Sequence, residues 1–366
     1  MQIWERSSKM NRFNKLFMNL PDDAECVLIT SDVNRRYFTG MKSSAGTVLA
    51  FRNGENYLII DFRYIEKARK TASYCEVIEQ DRLYHQIYEI LKKHNAKKVY
   101  VESHTMTLEE LTKIKNALKN VQFDTSDKLS RAIFICRTIK EPEEIEKIVE
   151  AQRIAEEALE KTFEIISVGV TEREIALELD YNMRKLGAED LSFETIALSG
   201  KNTSMPHGVP SEKRVQEHEF VLMDFGAVVD GYHSDMTRTV CVGEPTEKMR
   251  EVYNIVLEAQ KASLEKARAG ITGYELDAAA REYIESKGYG KAFGHSLGHG
   301  VGMEIHEFPN ASPLQKNTIL EENNIVTVEP GIYIPNEFGV RIEDCVVIKH
   351  TGCFNMTNAE KKLIIL

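Results

Sequence analysis

The 366-residue chain contains no stretch approaching the roughly eighteen consecutive apolar residues that a membrane-spanning helix needs. Its six cysteines, Cys26, Cys75, Cys136, Cys241, Cys345 and Cys353, are scattered, and no two form a CxxC pair. Thiols spread in this way through a long chain read as free and reduced, which places the protein in the cytoplasm. The start, MQIWERSSKMNRF, has no apolar core, so no signal peptide is expected. Positive charge is in deficit: 47 Lys and Arg stand against 57 Asp and Glu, a net charge of −10. That balance argues against nucleic acid or an anionic membrane as partner. The HExxH zinc signature is missing, because His306-Glu307 is followed by Phe308-Pro309, and no GxGxxG dinucleotide loop occurs at Gly298–Gly302.

What is present is ordinary soluble composition, 42% hydrophobic and 28% charged, in enough chain for two domains. Residues 1–124 alternate short apolar segments with helical patterns. ECVLIT, GTVLAF, NYLIID, CEVIEQ, KVYVES and VQFDTS read as strands. RYIEKARK, LYHQIYEILKKHN and TLEELTKIKNALK read as the helices between them, which predicts an α/β domain with helices on the sheet faces. His85, His94 and His104 lie far apart there and suggest no chemistry.

Residues 125–366 form a second domain with an internal echo. Pro142, followed by acidic residues, opens a long helix. GVTEREIALELDYNMRKLG then begins at Gly169, and GITGYELDAAAREYIESKG begins at Gly270. Start and end are both displaced by 101 residues, from Gly169 to Gly270 and from Gly187 to Gly288. Thr171 with Glu174 and Thr272 with Glu275 each predict a capping box, and each terminal glycine predicts a left-handed stop. Each copy continues into a strand pair, EFVLMDFGAVVDGYHSDMTRTVCVG in the first and NNIVTVEPGIYIPNEFGVRIEDCVVIK in the second. Two copies of helix, helix and hairpin predict pseudo-twofold symmetry, with the hairpins meeting at the centre.

Those hairpins carry acids inside apolar strands. If Asp230-Gly231 is the two-residue turn, Val229 faces Tyr232 and Asp224 lies opposite Thr237, with Asp235 on the same face. Glu329 and Glu343 occupy corresponding places in the second hairpin, displaced by 105 and 108 residues from Asp224 and Asp235. Alone, each acid would be a salt-bridged or solvated strand residue. Four together need more positive charge than Arg238 and Arg341 supply, and a pair of divalent ions meets that need. FGHSLGHGVGMEIHEFP, residues 293–309, sets His295, His299 and His306 among four glycines, an arrangement for extended chain with close backbone packing rather than helix. The 101-residue displacement puts His306 near Met205, close to His207, and His299 near Leu198. His299 thus lacks a histidine counterpart and is the candidate single nitrogen ligand.

MDFGAVVDGYHSDMTRT, GHGVGMEIHE, VEPGIY and VRIED together make the chain resemble the pita-bread metallopeptidases, in their Xaa-Pro dipeptidase (prolidase) and aminopeptidase P branch. The likeness spans the whole chain, since residues 1–124, including YLIIDFRYIEKA, resemble the creatinase-type amino-terminal domain. The resemblance implies an α+β fold: a creatinase-like domain, then a catalytic domain around a curved, mainly antiparallel sheet. It implies a dinuclear centre on Asp224, Asp235, His299, Glu329 and Glu343, with Asp235 and Glu343 bridging. It also implies substrate-binding roles for His207, His295, His306 and Arg341, and cleavage before a proline at the second position of a dipeptide or short peptide. A hydroxide bridging the two ions would attack, Glu329 would accept its proton, and His207 and His306 would stabilise the oxyanion. An oxygen-rich site with one imidazole favours manganese, with iron, cobalt or zinc as alternatives. A homodimer is a further expectation of the resemblance. Rival readings are a creatine-amidinohydrolase-like enzyme, an inactive partner-binding relative and a methionine aminopeptidase. The complete ligand set disfavours the first two, and the amino-terminal domain the third.

Overall fold

The computed structural model describes residues 11–366; residues 1–10, most of the stretch read for a targeting signal, lie outside them. The chain divides into two compact units, Met1–Arg137 and Thr138–Leu366. The sequence-based boundary falls after residue 124, one helix earlier.

The first unit contains β1 (Cys26–Ile29), β2 (Thr47–Phe51), β3 (Asn56–Ile60), β4 (Glu76–Glu79), β5 (Lys98–Val101) and β6 (Gln122–Asp124), each inside a segment expected to be a strand. They form one mixed sheet in the order β4-β3-β2-β1-β5-β6. β1 runs antiparallel to β2 and parallel to β5. β1, β2 and β3 are buried along their whole length, which is why they read as unbroken apolar runs rather than alternating ones. Helices Ile65–Thr71, Leu83–Lys93 and Leu108–Ala117 are the three expected ones, the last closed by a Thr107–Glu110 capping box. Arg12–Met18, Asp32–Thr39 and Lys128–Thr138 are additional helices. Asp32–Thr39 is a short polar segment, started by the Ser31 side chain accepting from Asn34 N at 3.2 Å and stopped by Gly40 at φ 70°. His94 stacks on Phe51 at 3.8 Å and bonds the Tyr57 hydroxyl, a structural role.

The second unit is built twice. Helix Pro142–Phe163 precedes helix Glu172–Lys185, and helix Glu247–Lys266 precedes helix Gly273–Ser286. The Thr171–Glu174 and Thr272–Glu275 capping boxes are both formed, and Gly187 and Gly288 both take positive φ, 107° and 85°. The amino-terminal half holds β7 (Asp190–Leu191), β8 (Ile196–Ser199), β9 (Glu219–Phe225), β10 (Ala227–Val229), β11 (Tyr232–His233) and β12 (Met236–Val242). The carboxyl-terminal half holds β13 (Gly298–Gly300), β14 (Glu307–Ala311), β15 (Ile325–Val328), β16 (Gly331–Ile334), β17 (Phe338–Arg341), β18 (Asp344–Lys349) and β19 (Gly352–Asn355). The order β12-β9-β8 is repeated as β18-β15-β13, and the outer hairpin β10-β11 as β16-β17.

The duplication reaches single hydrogen bonds. Gly169 N donates to Val215 O and Val215 N to Val170 O; Gly270 N donates to Leu320 O and Leu320 N to Ile271 O. Each half also has its own buried core. Ile154, Leu179, Met223 and Phe225 belong to one, and Val256, Leu276, Val326 and Val346 to the other. Full burial of such a side chain is worth roughly 1.5–3 kcal/mol, so each half brings a core sufficient to hold its helices on its strands.

The halves join along one seam. Glu343 N donates to Thr237 O at 3.1 Å, and Thr239 Oγ1 donates to Arg341 O at 2.9 Å. Arg238, considered above as a partner for the clustered acids, instead reaches across the seam to Asp344 at 2.9 Å and to Glu343 O.

Candidate metal centre and active site

The seam brings the acids together. β9 and β12 pair in the expected register, with Asp224 opposite Thr237, and β10 and β11 pair with Val229 opposite Tyr232. Asp230 and Gly231 form the turn between them with φ of 51° and 82°, as a two-residue hairpin turn of the primed type requires. Between the two ladders lies a gap. Gly226 there has no room for a side chain: a Cβ would sit 2.0 Å from Ser234 O. This close approach takes Asp235 off the ladder and leaves it buried, 4% exposed. The second half has the same gap between its base strands and its outer hairpin, and Glu329 and Glu343 are the residues in it. Three of the four candidate carboxylates therefore stand where the strands part, outside the strand ranges, and line one cavity.

His299 comes from β13. Gly298, just before it, lies against Thr327 O with no space for a Cβ, so the glycines of this stretch serve close packing, as expected. His299 Nε2 stands 3.5 Å from Asp235 Oδ2 and 3.6 Å from Glu329 Oε1. Its Nδ1 lies 3.1 Å from Gly300 O, which selects the tautomer with Nδ1 protonated and Nε2 bare. Ligand atoms of Asp235, His299 and Glu343 lie within 4.8 Å of one another.

Three residues that the sequence reading passed over hold this group. Thr327 Oγ1 accepts from His299 N at 3.0 Å and donates to Glu329 Oε1 at 3.2 Å. Thr237 Oγ1 donates to Glu343 Oε2 at 2.7 Å, across the seam. The Tyr333 hydroxyl meets Arg341 Nη1 at 2.8 Å and His295 Nε2 at 2.9 Å. The VEPGIY motif contains Tyr333, and the predicted register already set Thr237 opposite Asp224, so two of the three had a signal in the sequence.

Arg341 is buried, and its Nη2 lies 2.5 Å from Asp224 Oδ2. Asp224 Oδ1 is buried without a partner. One guanidinium cannot balance four acids. Burial above all, helped by Asp224 and Glu329, pushes Asp235 well above the usual carboxylate range. Burial again, then Asp235, Glu329 and Asp224, does the same to Glu343. Glu329 is pushed up to about 8, chiefly by burial, with Arg341 pulling down and Asp224 pushing up. Burial lowers His299 to about 4, so its ring is neutral at physiological pH. Bare carboxylates held together, an unpartnered buried oxygen and a neutral imidazole with a free nitrogen make a donor set that fits divalent cations.

These shifts give a pH dependence for the metal-free protein. The folded state keeps a proton on Glu329 up to about pH 8, whereas the unfolded chain loses it near 4.5. Stability therefore falls as pH rises through that window. His295 and His299, both lowered from 6.5 to about 4, act in the opposite direction but only below 6.5. Between pH 6.5 and 8 the carboxylates act alone. Chelator-treated protein should lose on the order of a few kcal/mol across that interval, with roughly 2–4 °C of melting temperature per kcal/mol. Metal-loaded protein should hold steady, because a cation replaces the proton. Parallel melts of both forms at the two pH values check this, and a flat chelated profile would contradict the crowding.

All the candidate site residues line one cavity of about 710 Å³ in the second unit. His207 and His306 are exposed there, one from each half, while His295 and His299 lie deeper. The His306 ring packs edge-on against His299 with centroids 4.3 Å apart.

Residues 146–350 match metallopeptidase family M24, and residues 22–138 match the Creatinase/Prolidase N-terminal domain. The chain belongs to family M24. Its first unit is the creatinase-like domain and its second the pita-bread domain, the two-part architecture expected from the motifs. This M24 chain is 40% identical to a Xaa-Pro dipeptidase of Pyrococcus furiosus, over 96% of the chain and 99% of the relative. The solved Xaa-Pro dipeptidase from Bacillus anthracis superposes with a TM-score of 0.93 at 40% identity, covering 97% of this chain and 99% of that one. The X-Pro aminopeptidase from Thermotoga maritima does so with a TM-score of 0.89 at 38% identity, covering 94% and 98%. All six cysteines are free thiols, four of them buried. Among the described residues, no helix is long and apolar enough to cross a membrane.

Proposed function

We propose that the protein hydrolyses the bond between the first residue and a following proline at the amino terminus of dipeptides or short peptides, using two divalent ions per subunit. The observation that carries this reading is the convergence of Asp224, Asp235, Glu329 and Glu343 with His299 on one cavity that a single guanidinium cannot neutralise. Asp224, Asp235, His299, Glu329 and Glu343 would hold the ions, with Asp235 and Glu343 as the shared ligands that the family resemblance implies. Manganese suits this oxygen-rich set, with cobalt, iron or zinc as substitutes.

When bound, the ions supply Lewis acidity and bring the ionisation of water close to neutral pH. Glu329 accepts the proton of the attacking water, its Oε1 steadied by Thr327. His207 and His306, one from each half, donate hydrogen bonds to the scissile carbonyl oxygen as it gains charge. His295, fixed by Tyr333, shapes the proline side. Arg341 lines the same wall, sets the position of Asp224 and Tyr333, and completes the substrate-binding group. A cytoplasmic homodimer is consistent with the free thiols and with the family resemblance.

Elemental analysis of the purified protein should give about two divalent ions per chain, and turnover of an Ala-Pro substrate should disappear on chelation and return with manganese. Full activity after exhaustive chelation would sink the reading. Hydrolysis of creatine in place of peptide would replace it with the amidinohydrolase alternative.

A further inference from the structure

The cavity has a charge balance that bears on substrate length, an inference that rests on the peptidase reading above. Glu194, exposed on the cavity wall, adds a fifth carboxylate to the four candidate ligands. Among the described residues lining the cavity, Arg341 is the one Lys or Arg. Four of its five N–H donors are already taken, by Thr237 Oγ1, Tyr333 Oη, Pro206 O and Asp224 Oδ2. Two divalent ions would cancel the four ligand carboxylates. Arg341 is then left against Glu194 and the attacking anion, and no cation remains for a further carboxylate.

A free Xaa-Pro dipeptide brings that further carboxylate with it. Its terminal carboxylate sits on the proline itself, one residue from the scissile carbonyl, and so inside the cavity. Desolvating an unpaired anion in a cavity with no spare cation and with Glu194 on its wall is unfavourable. A chain that continues past proline presents a neutral amide at the same place. The cavity wall suits such a chain. Asn310, Ser312 and Gln315 offer neutral hydrogen-bonding groups, and Val209 and Leu314 are 75% and 88% exposed, ready to receive the next side chain.

We propose that the site selects substrates whose proline carboxyl is in amide linkage, peptides of three or more residues, over free Xaa-Pro dipeptides, and that Glu194 contributes to that choice. The test compares kcat/KM of the metal-loaded, full-length protein on Ala-Pro, Ala-Pro-amide and Ala-Pro-Ala. The amide is no longer than the dipeptide and so separates charge from length. Both the amide and the tripeptide should exceed Ala-Pro by at least about tenfold. Glu194→Gln should narrow that ratio by raising turnover of Ala-Pro, most visibly at low salt. Ala-Pro cleaved as well as the other two would overturn the inference and leave the peptidase reading intact. A tripeptide preference without an amide preference would overturn the charge argument. Failure to cleave any of the three would overturn the peptidase reading itself.

Discussion

Asp235→Asn should give a folded protein that binds less metal and has lost peptidase turnover by at least about three orders of magnitude. Asparagine keeps the volume of a side chain that is 4% exposed in the gap between two ladders, so packing is preserved. What changes is the charge and the donor set. One oxygen is lost from the group in which Asp235, His299 and Glu343 lie within 4.8 Å. An amide nitrogen cannot ligate in its place. The same substitution relieves repulsion in the metal-free state, where Asp235, after burial, raises the proton affinity of Glu343. The metal-free variant should therefore melt above metal-free wild type at pH 8, while the two metal-loaded proteins reverse that order. This crossing distinguishes a lost ligand from general damage, which would lower both curves. Elemental analysis, a peptide assay and the paired melts measure the three effects. A fully metallated, active variant would contradict the bridging role of Asp235.

Much of this site could be read from the chain because it depends on local rules. The Asp230-Gly231 turn set a two-residue hairpin, and with it the pairing of Asp224 with Thr237 and Val229 with Tyr232. The capping boxes at Thr171 and Thr272 set the duplication, and the 101-residue displacement set Leu198 as the counterpart of His299. β8 and β13 indeed occupy equivalent places, each beside the strand that leads to an acid. The ladder gaps were not legible. An unbroken ladder was the natural reading of the hairpin DFGAVVDGYHSDMTRT, and the close approach of Gly226 to Ser234 O, with no room for a Cβ, is visible only in the structure. The partners of the arginines were not legible either. Arg238 and Arg341 are both within reach of the cluster in sequence, but Arg238 turns away to Asp344 because alternate residues of β12 face opposite sides. In the first unit Arg12–Met18 and Asp32–Thr39 are only seven and eight residues long, and periodicity is weakest for such short segments.

His306→Ala should keep the metal and lose the chemistry. His306 is exposed at the cavity, and its ring meets that of His299 edge-on at 4.3 Å. His299 does not depend on that contact for its position. Its backbone N–H is held by Thr327 Oγ1 at 3.0 Å and its Nδ1 by Gly300 O at 3.1 Å, so Nε2 continues to face Asp235 and Glu329 when the neighbouring ring is removed. Metal content should therefore match wild type within error. Turnover should fall by about 10²–10³, the usual cost of removing one donor to a developing oxyanion, with most of the loss in kcat. His207, from the other half, should behave alike, and the double variant should lose less than the product of the two single losses if both donate to the same oxygen. Loss of metal on substituting His306 would mean that the roles of His299 and His306 are reversed. Unchanged kcat with raised KM would instead mean that His306 binds substrate and transition state equally.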